Sequence, residues 1–318
     1  MNLTSDPQAR FIVFGMLAVL TLASLIAWVL KQRFTDEKHA EVMANLNSRI
    51  NAWWVMVITF FIAIIAGRMG SIILFGLVSF LALREFITLT PTRHADHRAL
   101  FWVFFVITPI HYFLLAINWV AFFLIFIPVY AYLFIPMRIV LVGDTTDFLT
   151  RTSKIQWALM ICVYFVSYAP ALLDVNTPNF HDGAKLLCFF VFVVQISDVL
   201  QYVFGKLCGK HKISPQVSPN KTIEGFVGGV GSSIALGAAL YWMTPFNPWQ
   251  AAIMAAIITL MGFCGGLVMS AIKRDRGVKD WGVLIPGHGG MMDRIDSLCF
   301  AAPIFYHLTR YFLAHYAR

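Results

Sequence analysis

The chain has 318 residues, of which 59% are hydrophobic and only 13% are charged, whereas soluble domains carry about 25% charged residues. This composition, with a mean hydropathy of +0.74, excludes a soluble globular domain and indicates a polytopic membrane protein. The net charge of +8 would also suit a nucleic-acid binder, but the basic residues lie in short loops between apolar runs, so we expect no nucleic-acid partner.

Ten apolar segments are predicted to form helices, several of them long enough to cross a hydrocarbon core of roughly 30 Å. They are residues 11–30, 52–67, 71–83, 100–117, 119–137, 157–173, 184–205, 226–243, 250–272 and 297–315. The predicted fold is therefore all-α, a polytopic integral membrane protein with about ten transmembrane helices. We expect a single membrane domain over 1–318, with a helical scaffold over 1–173 and a catalytic half over 184–318.

The second and third segments are short, and Gly67-Arg68-Met69-Gly70 separates them. They form either a tight helical hairpin or one long broken helix. Before them, residues 32–51 mix charged and apolar side chains, which predicts a short amphipathic surface helix with a structural role. Arg84 and Glu85 close the third segment. Adjacent helical positions do not face each other, so each of these two side chains needs another partner.

The distribution of Lys and Arg predicts the orientation of the chain. Five loops hold 19 of the 24 basic residues: 31–50, 84–99, 138–156, 206–224 and 273–296. Because cytoplasmic loops are enriched in Lys and Arg, all five should face the cytoplasm. Ten crossings allow this, whereas a broken helix over 52–83 would place the first two loops on opposite sides. We therefore favour ten crossings.

An acidic residue inside an apolar segment opens the catalytic half. A charge such as Asp198 at the centre of a bilayer costs about 2.5–3.5 kcal/mol, and residues of this kind usually face the bundle interior and serve a function. The structural alternative is a buried Asp bonded to a neighbouring helix. The run Ser218-Pro219-Asn220-Lys221-Thr222 follows, and Pro219 with the preceding Pro215 predicts a helix start near Thr222. The N–H groups at such a start favour anions, and Lys221 lies beside them.

The densest polar cluster is Ser270 to Asp296, between the last two apolar segments. It contains three carboxylates that can bind Mg²⁺, four basic side chains placed for a polyphosphate, and a glycine-rich turn whose backbone N–H groups can approach an anion. The carboxylates are Asp280, Asp293 and Asp296, and the basic side chains are Lys273, Arg274, Lys279 and Arg294. The turn consists of Gly287, Gly289 and Gly290 around His288. The alternative is a solvated loop whose basic residues set the membrane topology.

This cluster resembles the signature of the phosphatidate cytidylyltransferases, also called CDP-diacylglycerol synthases. The matching positions are Ser270, Lys273-Arg274, Lys279-Asp280, Gly282, Ile285-Pro286, His288-Gly289-Gly290, Asp293-Arg294 and Asp296. The family pattern also fits Asp198 followed by Ser218, Pro219, Lys221, Thr222, Glu224 and Gly225. Arg84-Glu85 resembles an early Arg-Glu pair of the family, but we favour its interpretation as a pair at the membrane interface. One departure is Val199-Leu200-Gln201, where the family commonly has small residues. These bulkier side chains would narrow a lipid groove beside Asp198.

The resemblance implies transfer of the cytidylyl group of CTP to phosphatidate, with a cytoplasm-facing active site in the cell inner membrane. It implies catalytic roles for Lys221, Lys273, Arg274, Lys279, His288 and Arg294, substrate contacts from Ser218, Thr222, Ser270, Gly289 and Gly290, and Mg²⁺ held by Asp198, Asp280, Asp293 and Asp296. The expected partners are CTP, a lipid phosphate, membrane lipids and a second copy in a homodimer. The alternatives are a family member that uses another lipid phosphate and, from another class, a membrane transporter.

Overall fold

The structure is a computed structural model and describes residues 7–33, 37–175, 180, 182–285, 287 and 289–316. Helices account for about four fifths of these residues. They are α1 (Pro7–Arg33), α2 (Glu37–Ile65), α3 (Gly67–Leu89), α4 (His94–Ala116), α5 (Val120–Val140), α6 (Phe148–Asp174), α7 (Gly183–Leu207), α8 (Ile223–Ala239), α9 (Pro248–Asp275) and α10 (Met292–Tyr316). Two short strands, β1 (Lys212–Ser214) and β2 (Ser218–Thr222), lie between α7 and α8.

The predicted all-α, multi-pass membrane fold is confirmed. Eight of the described helices, α1 to α7 and α9, are long and apolar enough to cross a membrane. The other two predicted segments are also helical but differ in kind. Helix α8 is apolar but has 17 residues, and α10 has 25 residues but carries Asp293 in its first turn. By length and composition alone, eight of the ten predicted segments therefore qualify as spans among the described residues.

Helices α2 and α3 form a hairpin. Ala66 alone separates them, and the chain reverses at Gly67, whose φ of +83° favours glycine. Arg49 of α2 and Glu85 of α3 both contact the loop that precedes α10, so the two helices run antiparallel. The separate surface helix predicted for residues 32–51 is wrong for its described part, because residues 37–65 form one helix that no Gly or Pro interrupts.

Hydrogen bonds bring the five basic loops to one face of the protein. The α2–α3 hairpin joins loops 31–50 and 84–99 to loop 273–296, as described above. The guanidinium of Arg151 donates to Asp96 Oδ1 at 2.7 Å, which joins loops 138–156 and 84–99 in a buried ion pair. Arg274 Nε donates to Val217 O at 3.3 Å and joins loops 273–296 and 206–224. The grouping expected from the charge pattern is therefore present.

The two strands form an antiparallel hairpin that delivers the chain to α8. Lys212 pairs with Thr222, and Ser214 pairs with Ser218. Thr222 is the N-cap of α8, because its Oγ1 accepts a hydrogen bond from Gly225 N at 3.1 Å. The helix start predicted near Thr222 is confirmed, whereas the strand pairing was not expected from a segment with two prolines.

Close packing of small residues brings α7, α8, α9 and α10 together. A Cβ on Gly229 of α8 would collide with Gln201 Cγ of α7. A Cβ on Gly265 of α9 would lie 2.5 Å from Asp296 O of α10. Glycine at these two positions lets the helix backbones approach, as in other membrane helix bundles. This packing brings together neighbouring surfaces of the four helices, which carry Asp198 on α7 and Asp296 on α10.

Site-directed labelling tests the orientation of the basic face. In a cysteine-free variant, Lys212→Cys and Val283→Cys should react with an impermeant thiol reagent only when the cytoplasmic side is accessible. Asn118→Cys, in the exposed link between α4 and α5, is the control and should react in intact cells. Labelling of both Lys212→Cys and Val283→Cys in intact cells would reverse the assigned orientation.

Candidate active site

A cavity of about 1020 Å³ opens on the basic face and gathers most of the predicted site residues. Its walls come from α2, α7, α8, α9, β2 and the start of α10. The predicted residues in its lining are Asp198, Ser218, Lys221, Thr222, Ser270, Lys279, Asp280, Gly289, Asp293, Arg294 and Asp296. Lys273, Arg274 and Gly290 are not in that lining, and His288 is outside the described residues.

Asp293 organises the signature loop, which we define as residues 276–291. Its Oδ1 accepts a hydrogen bond from Lys273 Nζ at 2.7 Å. Its Oδ2 accepts hydrogen bonds from Trp281 N at 2.8 Å and Gly290 N at 2.9 Å. One carboxylate therefore holds two points of the loop, Trp281 and Gly290, and the buried ammonium of Lys273 balances its charge. This geometry gives Lys273 a positioning role through Asp293.

Glu85 holds the same loop from the N-terminal half of the chain. Its Oε1 accepts a hydrogen bond from Met291 N and its Oε2 one from Met292 N, both at 2.8 Å. Glu85 thus supplies acceptors to N–H groups at the start of α10 that have no intrahelical partner. A Cβ on Gly290 would collide with the Glu85 carboxylate. Glycine at position 290 therefore makes room for Glu85, and its contact with substrate stays a prediction.

Phe86 extends this attachment by stacking on Trp281, with ring centroids 5.1 Å apart and an interplanar angle of 19°. Both rings are buried. The interpretation of Arg84-Glu85 as a pair at the membrane interface is wrong for Glu85. Two features of the sequence indicated a role for Glu85: adjacent helical residues need separate partners, and Arg84-Glu85 resembles a pair in the family. Neither feature identified the partner, because it lies in the distant signature loop.

Lys221 places a positive charge at the floor of the cavity. Its Nζ donates to Phe263 O at 3.3 Å and lies 4.5 Å from the centre of the Phe263 ring, a cation–π contact. Burial lowers the pKa of Lys221, and the carboxylates of Asp296 and Asp198 oppose that shift. An anionic substrate that enters the cavity would favour the charged ammonium in the same way.

Arg294 presents a second cationic group. Its Nε is buried and, within the described part of the chain, has no hydrogen-bond partner. A buried guanidinium donor without an acceptor is costly, and a phosphate oxygen would satisfy it. Arg274 differs, because its guanidinium donates to Val217 O and Val278 O and ties the β-hairpin to the signature loop. A direct catalytic role for Arg274 stays a prediction.

Two of the three residues that depart from the family pattern lie at the cavity wall. Val199 and Gln201 belong to the lining, and Leu200 does not. Gln201 packs its Cγ against Gly229, and its Nε2 is buried without a hydrogen-bond partner among the described residues. Apolar side chains complete this part of the lining, including those of Trp53, Phe226 and Phe263. The cavity therefore combines a charged floor with apolar walls.

The described residues contain no group of three or more His, Cys, Asp or Glu side chains placed to hold a metal ion. The four predicted ligands thus do not form a closed carboxylate cage, and Asp293 is engaged with Lys273 and two backbone N–H groups. Mg²⁺ usually takes one or two carboxylates and completes its coordination with waters and substrate phosphates. Asp198 and Asp296 line the cavity beside Lys221 and fit that chemistry.

Comparison with known proteins gives one family model and several relatives. Residues 47–312 match the model of the cytidylyltransferase family. The uncharacterized protein YnbB of Escherichia coli (strain K12) is 42% identical over 300 residues, which cover 93% of this chain and 96% of that protein. The phosphatidate cytidylyltransferase of Staphylococcus haemolyticus (strain JCSC1435) is 38% identical over 160 residues, which cover 49% of this chain and 62% of that enzyme. The phosphatidate cytidylyltransferase of Staphylococcus aureus (strain COL) gives the same values.

Because Glu85 attaches the signature loop to α3, a conservative substitution of Glu85 should impair the site. Glu85→Gln keeps the size of the side chain but places an N–H donor against one of the two backbone N–H groups. An unsatisfied buried donor costs about 1–3 kcal/mol, so CTP turnover should fall about tenfold or more. Turnover and thermal unfolding in detergent would be measured beside Arg84→Gln, which changes the exposed neighbouring residue. Normal turnover of Glu85→Gln would show that the loop does not depend on this carboxylate.

Proposed function

We propose, from the premise that this chain belongs to the cytidylyltransferase family and is therefore a nucleotidyltransferase, that it transfers the cytidylyl group of CTP to a lipid phosphate. An oxygen of the lipid phosphate forms a bond to the α-phosphorus of CTP. The bond from that phosphorus to the oxygen bridging to the β-phosphate breaks, and pyrophosphate leaves. With phosphatidate as the acceptor, the product is CDP-diacylglycerol.

One observation carries this proposal: a single cavity joins a cationic floor to apolar walls. Lys221, Lys279 and Arg294 line it together with Val199 and Tyr202 of α7. The cationic groups suit the phosphates of both substrates, and the apolar walls suit the lipid part of the acceptor. A transporter does not require the cation-rich signature loop, and the family membership favours the enzyme.

The residues present suit a reaction in which the nucleophile needs no dedicated base. A phosphomonoester has a second pKa near 6, so the lipid phosphate is already largely dianionic at neutral pH. The protein's task is to bring two anions together and to stabilise negative charge on the transferring and leaving oxygens. Lys221 and Arg294 are placed to do this at the floor, and Lys279 at the signature loop.

Asp198 and Asp296 are the residues we propose to hold Mg²⁺, which when bound supplies further neutralisation of the CTP phosphates. Asp296 Oδ1 accepts a hydrogen bond from Ser297 N at 2.7 Å, which fixes the carboxylate at the cavity wall. The 38% identity to phosphatidate cytidylyltransferases favours phosphatidate as acceptor. The cell inner membrane is the location we propose, from the predicted orientation of the basic loops. The alternative acceptor is another lipid phosphate.

The function is tested by the product that the purified protein forms. Detergent-solubilised protein given CTP and phosphatidate should yield CDP-diacylglycerol and pyrophosphate in equal amounts, as identified by mass spectrometry. Lys221→Met should abolish most of this turnover, because it removes the buried charge at the cavity floor. A protein that forms no CDP-lipid from any lipid phosphate in a panel, although folded and supplied with Mg²⁺, would contradict the proposal.

Val199 and Gln201 line the cavity and differ from the family pattern, so substituting them tests which lipid phosphate the protein prefers as acceptor. Replacing Val199 by Ser and Gln201 by Ala should raise turnover of phosphatidate several-fold relative to a phosphorylated single-chain lipid, because the groove beside Asp198 widens. Leu200→Ala is the matched control, since Leu200 is not in the lining, and should leave the ratio unchanged. Competition assays with both lipids measure the ratio; an unchanged ratio in the double variant would show that Val199 and Gln201 serve packing alone.

A further inference from the structure

Helix α2, in the N-terminal half of the chain, contributes one wall of the cavity. The residues of this wall lie outside the nucleotidyltransferase motifs. The three contributing residues are Arg49, Ile50 and Trp53. Residues three and four positions apart lie on the same face of a helix, so Trp53 projects beside both Arg49 and Ile50. One face of α2 therefore presents a cation with apolar side chains next to it.

Arg49 is anchored in a way that leaves most of its donors available. Its Nε donates to Gly287 O in the signature loop at 3.1 Å. Among the described residues this is the one hydrogen bond of the Arg49 side chain, which is exposed. The two terminal nitrogens of a guanidinium form a planar fork that matches two oxygens of a phosphate. With Nε fixed, that fork is held at the cavity.

The side chains around Arg49 indicate which of the two substrates, CTP or the lipid phosphate, its guanidinium binds. Helix α2 continues into a membrane span over Asn47–Ile65, and its side chains Val55, Ile58 and Ile62 are exposed as lipid-facing residues are. Ile50 and Trp53 lie in the first two turns of this span, on the helix face opposite Val55, Ile58 and Ile62, so the apolar wall lies at the end of the span that is next to the basic loops. A polar nucleoside gains little from such a wall, whereas a lipid phosphate presents an anionic head followed by apolar chains.

We propose that Arg49, Ile50 and Trp53 form the binding site for the lipid phosphate, with the guanidinium of Arg49 on the phosphate and the two apolar side chains on the lipid chains. This inference rests on the proposed function and names the residues that select its acceptor. Arg49 bonds to Gly287 of the signature loop, so it holds the acceptor phosphate beside the residues that act on CTP. The N-terminal half thus supplies a substrate-binding surface as well as a scaffold.

Steady-state kinetics of Arg49→Gln test the role of the guanidinium. The KM for phosphatidate should rise about tenfold, because a bidentate charged contact is lost, while the KM for CTP should change less than about twofold. Arg84→Gln, an exposed arginine outside the cavity lining, is the control and should change neither constant. If Arg49 only positions the loop through Gly287, the KM for CTP rises instead, and the inference is overturned.

A pair of adjacent tryptophans provides an independent test of the apolar wall. Trp53 lines the cavity, whereas Trp54 points elsewhere and donates from Nε1 to Ser24 Oγ of α1 at 3.0 Å. Trp53→Ala should reduce kcat/KM for long-chain phosphatidate several-fold more than for a short-chain, water-soluble phosphatidate, whereas Trp54→Ala should affect both equally. Equal effects of Trp53→Ala on both lipids would overturn the assignment. Failure of the wild-type protein to form CDP-lipid would instead contradict the proposed function, so the two failures are distinct.

Discussion

Four backbone N–H groups around the signature loop depend on two carboxylates from opposite halves of the chain. Asp293 accepts from Trp281 and Gly290, and Glu85 accepts from Met291 and Met292. Each of these donors, left unpaired in a water-poor site, would cost about 1–3 kcal/mol. The loop can therefore hold its shape only while α3 stays packed against the start of α10. The candidate site therefore depends on α3 as well as on the helices that carry the motifs.

The same arrangement determines which charges remain for substrates. The carboxylate of Asp293 is paired with Lys273, so that buried pair is close to neutral and serves the loop. Arg274 bonds to carbonyl oxygens at the rim. Lys221, Lys279 and Arg294 are the motif cations left in the cavity lining. A dense cluster of charges in the sequence thus separates into groups that shape the site and groups that face a ligand.

Sequence reasoning succeeded where a residue's chemistry and its local pattern point the same way. Asp198 stands out because a carboxylate in an apolar segment is costly, and Thr222 because a hydroxyl follows prolines at a helix start. Both positions agree with the structure. The helical segments were found for the same reason, although α10 proved too polar and α8 too short to count as spans by length and composition.

The residues that were missed act through partners far away in the chain. Glu85 contacts Met291, and Arg49 contacts Gly287, and nothing in the local sequence of α2 or α3 names these partners. Residues 32–51 suggested a separate surface helix because their composition changes from polar to apolar, yet no Gly or Pro ends the helix there. The roles of Glu85 and Arg49 depend on contacts with residues far away in the sequence. Local periodicity carries no information about such contacts. The role of Asp293 as a metal ligand, the homodimer and the division into two functional halves stay predictions.

The central claim is that this cavity transfers the α-phosphoryl unit of CTP, with its cytidine, to a lipid phosphate. The most direct measurement uses CTP labelled with radioactive phosphorus at either the α or the γ position, followed by separation of lipid from water-soluble products. The account predicts that α-label enters the lipid fraction and that γ-label is recovered as pyrophosphate. Recovery of γ-label in the lipid would indicate a kinase, and an unlabelled lipid fraction with both forms of CTP would contradict the assigned chemistry altogether.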